Sequence, residues 1–236
     1  MNTQQDKVTA HFENVAPNYD EQWKKMAPLH HALHVFINAS LSKLSNNANV
    51  LCVGPGTGSE IINLAQTNPS WTFTAVEPSS AMLTICRQRL TKLGLENRCS
   101  FHNGYLDSLE TTTKFDAACS ILVSHFILNK DTRIQFFSEI ANRLNPAGLL
   151  VSADLATDLS SEHGQSLLET WLHMLKTGDV ISEENIEQLR AHYRDDIALL
   201  PAEDVANIIA AGNFKIPIQF FQAGLLHAWY AEKHPA

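Results

Sequence analysis

The sequence predicts an α/β fold: five parallel strands with helices on both faces, a helical insertion, and an antiparallel hairpin at the end. Three observations carry this expectation. From position 49 onward, short apolar runs alternate with helical segments of 8–14 residues, the pattern of βαβ units. A glycine-rich turn, Gly54-Pro55-Gly56-Thr57-Gly58, joins the first run to the first of these helices. The last two strand-like runs are separated only by Gln222-Ala223-Gly224, a link that permits only an antiparallel pair.

Residues 1–45 are mostly helical in pattern, with breaks expected at Pro17 and Pro28. Asn49-Val50-Leu51-Cys52-Val53 reads as a buried strand, and 59–67 as a helix. Residues 71–76 alternate threonine with large apolar side chains, a second strand that Pro78 stops. Ser79 or Ser80 can cap a helix running to about position 93, which Gly94 ends. A short strand over 99–102 and a longer one over 115–123 follow. An amphipathic helix over 131–144 is closed by Asn145-Pro146-Ala147-Gly148, and a fifth strand covers 149–153. An insertion between 153 and 201 carries helices near 162–176 and 182–193. The hairpin occupies 214–221 and 225–232. Right-handed crossovers place helices on both faces of such a sheet.

At 236 residues, 44% hydrophobic and 18% charged, the chain can bury a full core, which excludes global disorder and fits a single domain over 1–236. Lys plus Arg is 17 against 25 Asp plus Glu, a net charge of -8, which argues against a nucleic-acid partner. The longest apolar stretch, near 117–123, is far short of a membrane span. The first residues lack the apolar core of a secretory signal, so a cytoplasmic location is expected. The four cysteines form no CxxC pair and read as small core residues, without disulfide or zinc. The negative charge is concentrated in residues 151–213, with 12 acidic and 3 basic side chains. Such a segment is either a solvated helical face or a lid that repels phosphates and tolerates cations.

The chemistry begins at Val50-Leu51-Cys52-Val53-Gly54-Pro55-Gly56-Thr57-Gly58-Ser59-Glu60. Here a strand runs into a glycine turn and then a helix whose first N–H groups are free. In an open parallel sheet, a ligand sits at the carboxyl end of that first strand, where strand order reverses. The pattern is G-x-G-x-G. The G-x-G-x-x-G of a dinucleotide fingerprint fails at Ser59. Glu77, at the end of the second strand, can accept two ribose hydroxyls at once, each bond contributing about 1.5–3 kcal/mol. Glycine turn and strand-end acid together point to a nucleoside-bearing cofactor.

These residues resemble the class I S-adenosylmethionine-dependent methyltransferases. The similarity covers roughly residues 10–155 and the terminal hairpin, through VLCVGPGTGSE, FTAVEPSSAML, FHNGYLDSL, KFDAACSILVSHFI and RLNPAGLLVSADL. The resemblance implies a Rossmann-like sheet of seven strands, the last antiparallel, and S-adenosyl-L-methionine (SAM) as cofactor. It implies that Gly54, Gly56 and Gly58, with Pro55 in the same turn, line the methionine part of SAM. Glu77 would hold the ribose, Pro78 and Met82 would flank the adenine, and Ser120 would face the cofactor. The family often places an acid beside glycine after the third strand. Here Gly104-Tyr105-Leu106-Asp107 stands instead, so Tyr105 or Leu106 covers the ring and a carbonyl or Asp107 meets the adenine amino group. Phe12-Glu13-Asn14-Val15-Ala16-Pro17-Asn18-Tyr19-Asp20 resembles the leading helix of small-molecule and tRNA-modifying members, making 1–45 a helical segment over the cofactor site. There Tyr19 either touches SAM or substrate or packs on the core. Residues 155–200 are then the insertion or lid.

Methyl transfer from a sulfonium is an in-line displacement in which positioning does most of the work. A base is needed only where the acceptor must lose a proton. His125, just past the fourth strand, is the candidate base, or else a packing residue. Asp154, at the end of the fifth strand, either orients the acceptor or caps a helix of the insertion. His30, His31 and His34 lack a matching ligand set, so no metal site is expected. His192-Tyr193-Arg194 places Tyr193 or Arg194 in the insertion as a substrate contact. The expected function is therefore methyl transfer to a small-molecule acceptor. A tRNA-modifying enzyme using SAM or a carboxylated SAM, and a non-catalytic SAM-binding protein, are the alternatives. An NAD(P) dehydrogenase fails on the missing third glycine and on the absence of any Tyr-x-x-x-Lys pair.

Overall fold

The computed structural model describes residues 3–235. Met1 and Asn2, the start of the expected N-terminal segment, lie outside the described residues. In chain order the elements are α1 (Thr3–Trp23), α2 (Ala27–Ser40), β1 (Asn49–Val53), α3 (Ser59–Thr67), β2 (Thr72–Glu77), α4 (Ser80–Lys92) and β3 (Cys99–Asn103). They continue with β4 (Phe115–Ile121), α5 (Lys130–Arg143), β5 (Leu144–Leu155), α6 (Glu162–Thr177), α7 (Ile186–Asp195), α8 (Ala202–Ala211), β6 (Ile218–Ala223) and β7 (Leu226–Glu232). The seven strands form one Rossmann-like sheet in the order β3-β2-β1-β4-β5-β7-β6. The first five are parallel; β7 runs antiparallel to both β5 and β6, as the short final link requires.

Alternation along the strands sorts the core into two layers. Val50 and Cys52 of β1 join Ile37, Ile61, Leu64, Cys86 and Leu172, so α2, α3, α4 and α6 cover one face. Leu51 and Val53 join Phe137, Ile140, Val205 and Ile208, so α5 and α8 cover the other. Cys52, Cys86 and Cys119 are buried free thiols in this packing, and Cys99 is half-buried. Ser79 caps α4 through its Oγ, 3.2 Å from the N–H of Met82. Among the described residues no helix is long and apolar enough to cross a membrane.

Several elements depart from the pattern reading. Pro17 does not break the first helix: α1 runs through it. A helix-interior proline forfeits one backbone bond, and α1 is held from outside instead, by the Glu13 contacts to α4 described below. Pro28 stands in the first turn of α2, where its missing N–H costs nothing. Asn145-Pro146-Ala147-Gly148, expected as a loop, is the irregular start of β5, whose register against β4 shifts between Phe115 and Ala117. α8 was hidden inside the acidic stretch; its Val205, Ile208 and Ile209 are fully buried.

Candidate active site

The sheet order reverses between β1 and β4, and a cavity of about 870 Å³ opens beyond the carboxyl ends of these strands. Gly54, Pro55 and Gly56 form its floor, Glu77, Pro78 and Met82 one side, and Gly104, Tyr105 and Leu106 continue that side. Ile121 at the end of β4 and Leu122 and Val123 just past it also line the cavity, and α1 and α2 supply further wall.

Gly56 has φ +55°, and a Cβ built there meets nothing within 4 Å, so a ligand can approach the backbone directly. Gly58 differs. At φ +81° its Cβ would collide with Cys86 Sγ, and Gly58 does not line the cavity. Its smallness brings the turn against α4, a packing role distinct from the expected contact with the methionine part of the cofactor.

Glu77 joins the turn to β2. Its Oε2 accepts from the Gly56 N–H at 3.0 Å and its Oε1 from the Ser79 N–H at 2.9 Å. Burial pushes its carboxyl above the ordinary range, while these two bonds pull it down. Each oxygen retains an acceptor site, so the carboxylate can still take two hydroxyls. This donor and acceptor set fits the ribose of SAM.

α1 is fastened over the site at three points. The Glu13 carboxylate accepts from the N–H groups of Ser80 and Ala81 at the start of α4. Thr57 Oγ1 donates to Asp20 Oδ1 at 2.6 Å, and Arg89 Nη1 lies 3.1 Å from Asp20 Oδ2 while donating to the Thr57 carbonyl. Thr9 Oγ1 and Tyr105 Oη are 2.7 Å apart. Between these fastenings Phe126, Phe12, Tyr19, Trp23 and His30 form a continuous run of rings, with successive centroids 5.5–6.3 Å apart, and all five line the cavity. Burial, then the charges of Glu60, Asp20 and Glu77, raise the Tyr19 phenol to about 12, so it stays a neutral donor. His30 and His34 are lowered by burial, His34 to about 4, so both imidazoles are neutral. Among the described residues no group of three or more His, Cys, Asp or Glu is placed to hold a metal.

Other residues expected at the site stand outside the lining of this cavity. His125 and Asp154 do not line the cavity. Asp154 is wholly buried at the end of β5, where its Oδ1 lies 2.9 Å from His125 Nδ1 and 3.0 Å from the His125 backbone N. Its Oδ2 accepts from Ser124 Oγ at 2.6 Å and faces Arg133 Nη2 at 3.3 Å. These contacts tie His125 and Asp154 into one buried network outside the cavity lining, and the cap of α6 is Ser161. Ser120 is fully buried on β4 beside Ser152 and does not reach the cavity. No described residue of 155–200 lines the cavity either. Tyr193 is buried, accepting from Trp171 Nε1 at 3.0 Å, and Arg194 pairs with Asp195 at the surface. The cavity also contains groups the sequence reading passed over: Glu60, Asp20 and Arg89 at the turn, and Phe12, Trp23 and Phe126 in the aromatic wall. Glu60 was detectable as an acid in the first turn after the last glycine.

Residues 50–148 match the family model described as a methyltransferase domain. Among solved structures, an O-methyltransferase family protein from Burkholderia thailandensis is 13% identical (TM-score 0.68), with 98% of this chain and 63% of that one covered. An O-methyltransferase family 2 protein from Planctomyces limnophilus, solved with apigenin, is 15% identical (TM-score 0.61), with 94% and 61% covered. The cyclase SpnF is 14% identical (TM-score 0.63), with 87% and 82% covered. The chain thus spans about three fifths of the two methyltransferases, and at these identities the likeness is one of fold. No curated protein matches the sequence.

Proposed function

We propose, on the premise that this chain carries a SAM-dependent methyltransferase domain, that it transfers the methyl group of SAM to a small, largely planar acceptor enclosed against the aromatic wall of α1. The observation that carries the reading is a single cavity combining the Gly56–Glu77 pair with the run of rings from Phe126 to His30.

In this reading Glu77 holds the ribose through its two remaining acceptor sites, and Gly54, Pro55 and Gly56 take the methionine end along exposed backbone. Pro78, Met82, Gly104, Tyr105 and Leu106 enclose the adenine, and Tyr19 donates from α1. When bound, SAM supplies a methyl group already activated on a sulfonium, so the residues of the chain act mainly by positioning and by excluding water. Phe12, Trp23 and Phe126 orient a flat acceptor by stacking. The neutral imidazoles of His30 and His34 can accept a hydrogen bond from an acceptor hydroxyl, a role for which His125 is too enclosed. The same fold in an O-methyltransferase solved with apigenin is in keeping with an acceptor of this kind.

The test is a calorimetric titration with SAM and NAD, followed by turnover of methyl-labelled SAM over a panel of phenols, aromatic amines, aliphatic alcohols and tRNA. Binding of SAM with label transferred to a small aromatic acceptor is the expected result. Binding without transfer to any acceptor, or transfer to tRNA, overturns the assignment of acceptor. Binding of NAD overturns the cofactor.

A further inference from the structure

The first turn of α3 holds a buried carboxyl group that is not held in an ion pair among the described residues. Glu60 lies in the first turn of α3, is 7% exposed, and lines the cavity. It accepts a hydrogen bond from its own backbone N–H, and among the described residues no cation forms an ion pair with it. Arg89, whose charge acts on Glu60, directs its Nη1 to Thr57, Ser59 and Asp20. The titratable groups around Glu60 are Tyr19 of α1, Cys52 of β1, Glu77 of β2, Cys86 and Arg89 of α4, and Cys99 of β3. Apart from Arg89 these are acids or neutral groups. A buried acid in such surroundings is a place prepared for a positive ligand.

We propose that Glu60 is the counter-charge for the positively charged methionine end of S-adenosylmethionine and gives up a proton when that ligand enters the cavity. The inference rests on the reading of the site given above. S-adenosylmethionine carries an ammonium and a sulfonium against one carboxylate, a net charge of +1. S-adenosylhomocysteine has lost the sulfonium and is neutral overall. In the free protein, burial and the nearby Glu77 raise the Glu60 carboxyl to about 8 against the opposing pull of its own backbone N–H and of Arg89, so at pH 7 it holds its proton. A cation beside it favours the carboxylate, and the proton passes to solvent. Glu77 is raised by burial as well, but two backbone N–H groups oppose that rise, and the Glu60→Gln variant below separates its proton from that of Glu60. When the methyl group leaves, the positive charge leaves with it. Glu60 then regains its proton and holds the product less tightly than the substrate, which favours exchange.

The experiment is titration calorimetry of the whole chain with S-adenosylmethionine and with S-adenosylhomocysteine at pH 7, in buffers of different ionisation enthalpy. The slope of observed heat against buffer enthalpy counts protons. The expected result is release of close to one proton with S-adenosylmethionine and much less with S-adenosylhomocysteine. Between pH 6 and 8, affinity for S-adenosylmethionine should rise by up to about tenfold per pH unit. Glu60→Gln should abolish the release and flatten the pH dependence. His30 and His34 share the cavity and are already neutral, so they have no proton to release. Binding of S-adenosylmethionine to the wild-type protein without proton release overturns the proposal, whether or not the variant folds. Equal release by Glu60→Gln overturns it as well. Failure of both adenosyl ligands to bind is a different result, which removes the reading of the site itself.

Discussion

Glu77 Oε2 accepts a hydrogen bond from the backbone N–H of Gly56 at 3.0 Å, although 21 residues separate them. The bond fixes the acid at the end of β2 relative to the turn after β1, so two parts of one site are positioned as a unit. Glu77→Ala removes both the ligand-facing acceptors and this tie. Affinity for SAM should fall at least tenfold, each 1.4 kcal/mol being a factor of about ten. Glu77→Gln should fail as well, because an amide NH2 would face the Gly56 or the Ser79 N–H, donor against donor. Calorimetry on variants whose circular dichroism matches the wild type decides the matter. Unchanged affinity in either removes Glu77 from the site.

Gly58 has a different task, and a paired substitution separates it from that of Gly56. Gly58→Ala places a Cβ at φ +81° against Cys86 Sγ and should cost about 1–3 kcal/mol, read as a lower Tm. Adding Cys86→Ala removes the sulfur and should return part of that loss. The backbone strain stays, so recovery is incomplete. A double-mutant cycle with a coupling of at least about 0.5 kcal/mol is the expected outcome, and strict additivity would show that the clash is relieved by movement elsewhere.

Much of this architecture was legible because local chemistry and global position agree at the same residues. Ser79 or Ser80 reads as a helix cap and Ser79 is the one; the final hairpin follows from a link too short for a crossover; Gly56 and Glu77, singled out from the sequence, meet at the switch point of the sheet. What was not legible depends on tertiary packing. Nothing local tells that Arg133, ten positions past Val123, folds back to face Asp154, or that Asp154 and His125, read separately from the sequence, meet in one network. Pro17 carries a strong local signal for a break, overruled by the contacts of Glu13 and Asp20 on either side of it. Composition left a solvated face or a lid open for the acidic stretch, and the cavity is lined by α1 and α2 with no described residue of 155–200.

The α1 wall should loosen when Glu13 is changed. Its carboxylate sits at the start of α4, where free N–H groups and the helix dipole favour a negative charge by about 0.3–1 kcal/mol. Glu13→Ala should speed amide exchange over the middle of α1 while leaving β1 and β4 protected, and weaken SAM binding by severalfold through the added cost of closing the helix. Unaltered exchange in α1 would mean that Asp20 and Thr9 suffice to hold it.

The Asp154 network gives a prediction in stability and its pH dependence. Burial alone would raise the Asp154 carboxyl, but Arg133, His125 and Ser124 together hold it below its ordinary range. A carboxyl depressed in the folded state contributes stability that is present above its unfolded value of about 3.9 and is lost as pH falls through the lower folded value. Asp154→Asn leaves the buried Arg133 guanidinium without its counter-charge, and breaking such a pair costs about 3–5 kcal/mol. In urea unfolding at pH 7 the variant should therefore show a much lower midpoint than the wild type. The gap should persist down to about pH 5 and narrow below pH 4, where the wild-type carboxyl takes up its proton. Because neither Asp154 nor His125 lines the cavity, SAM affinity of the folded variant should stay within about threefold of wild type. A large loss of affinity with little loss of stability would instead return His125 and Asp154 to the chemistry of the site.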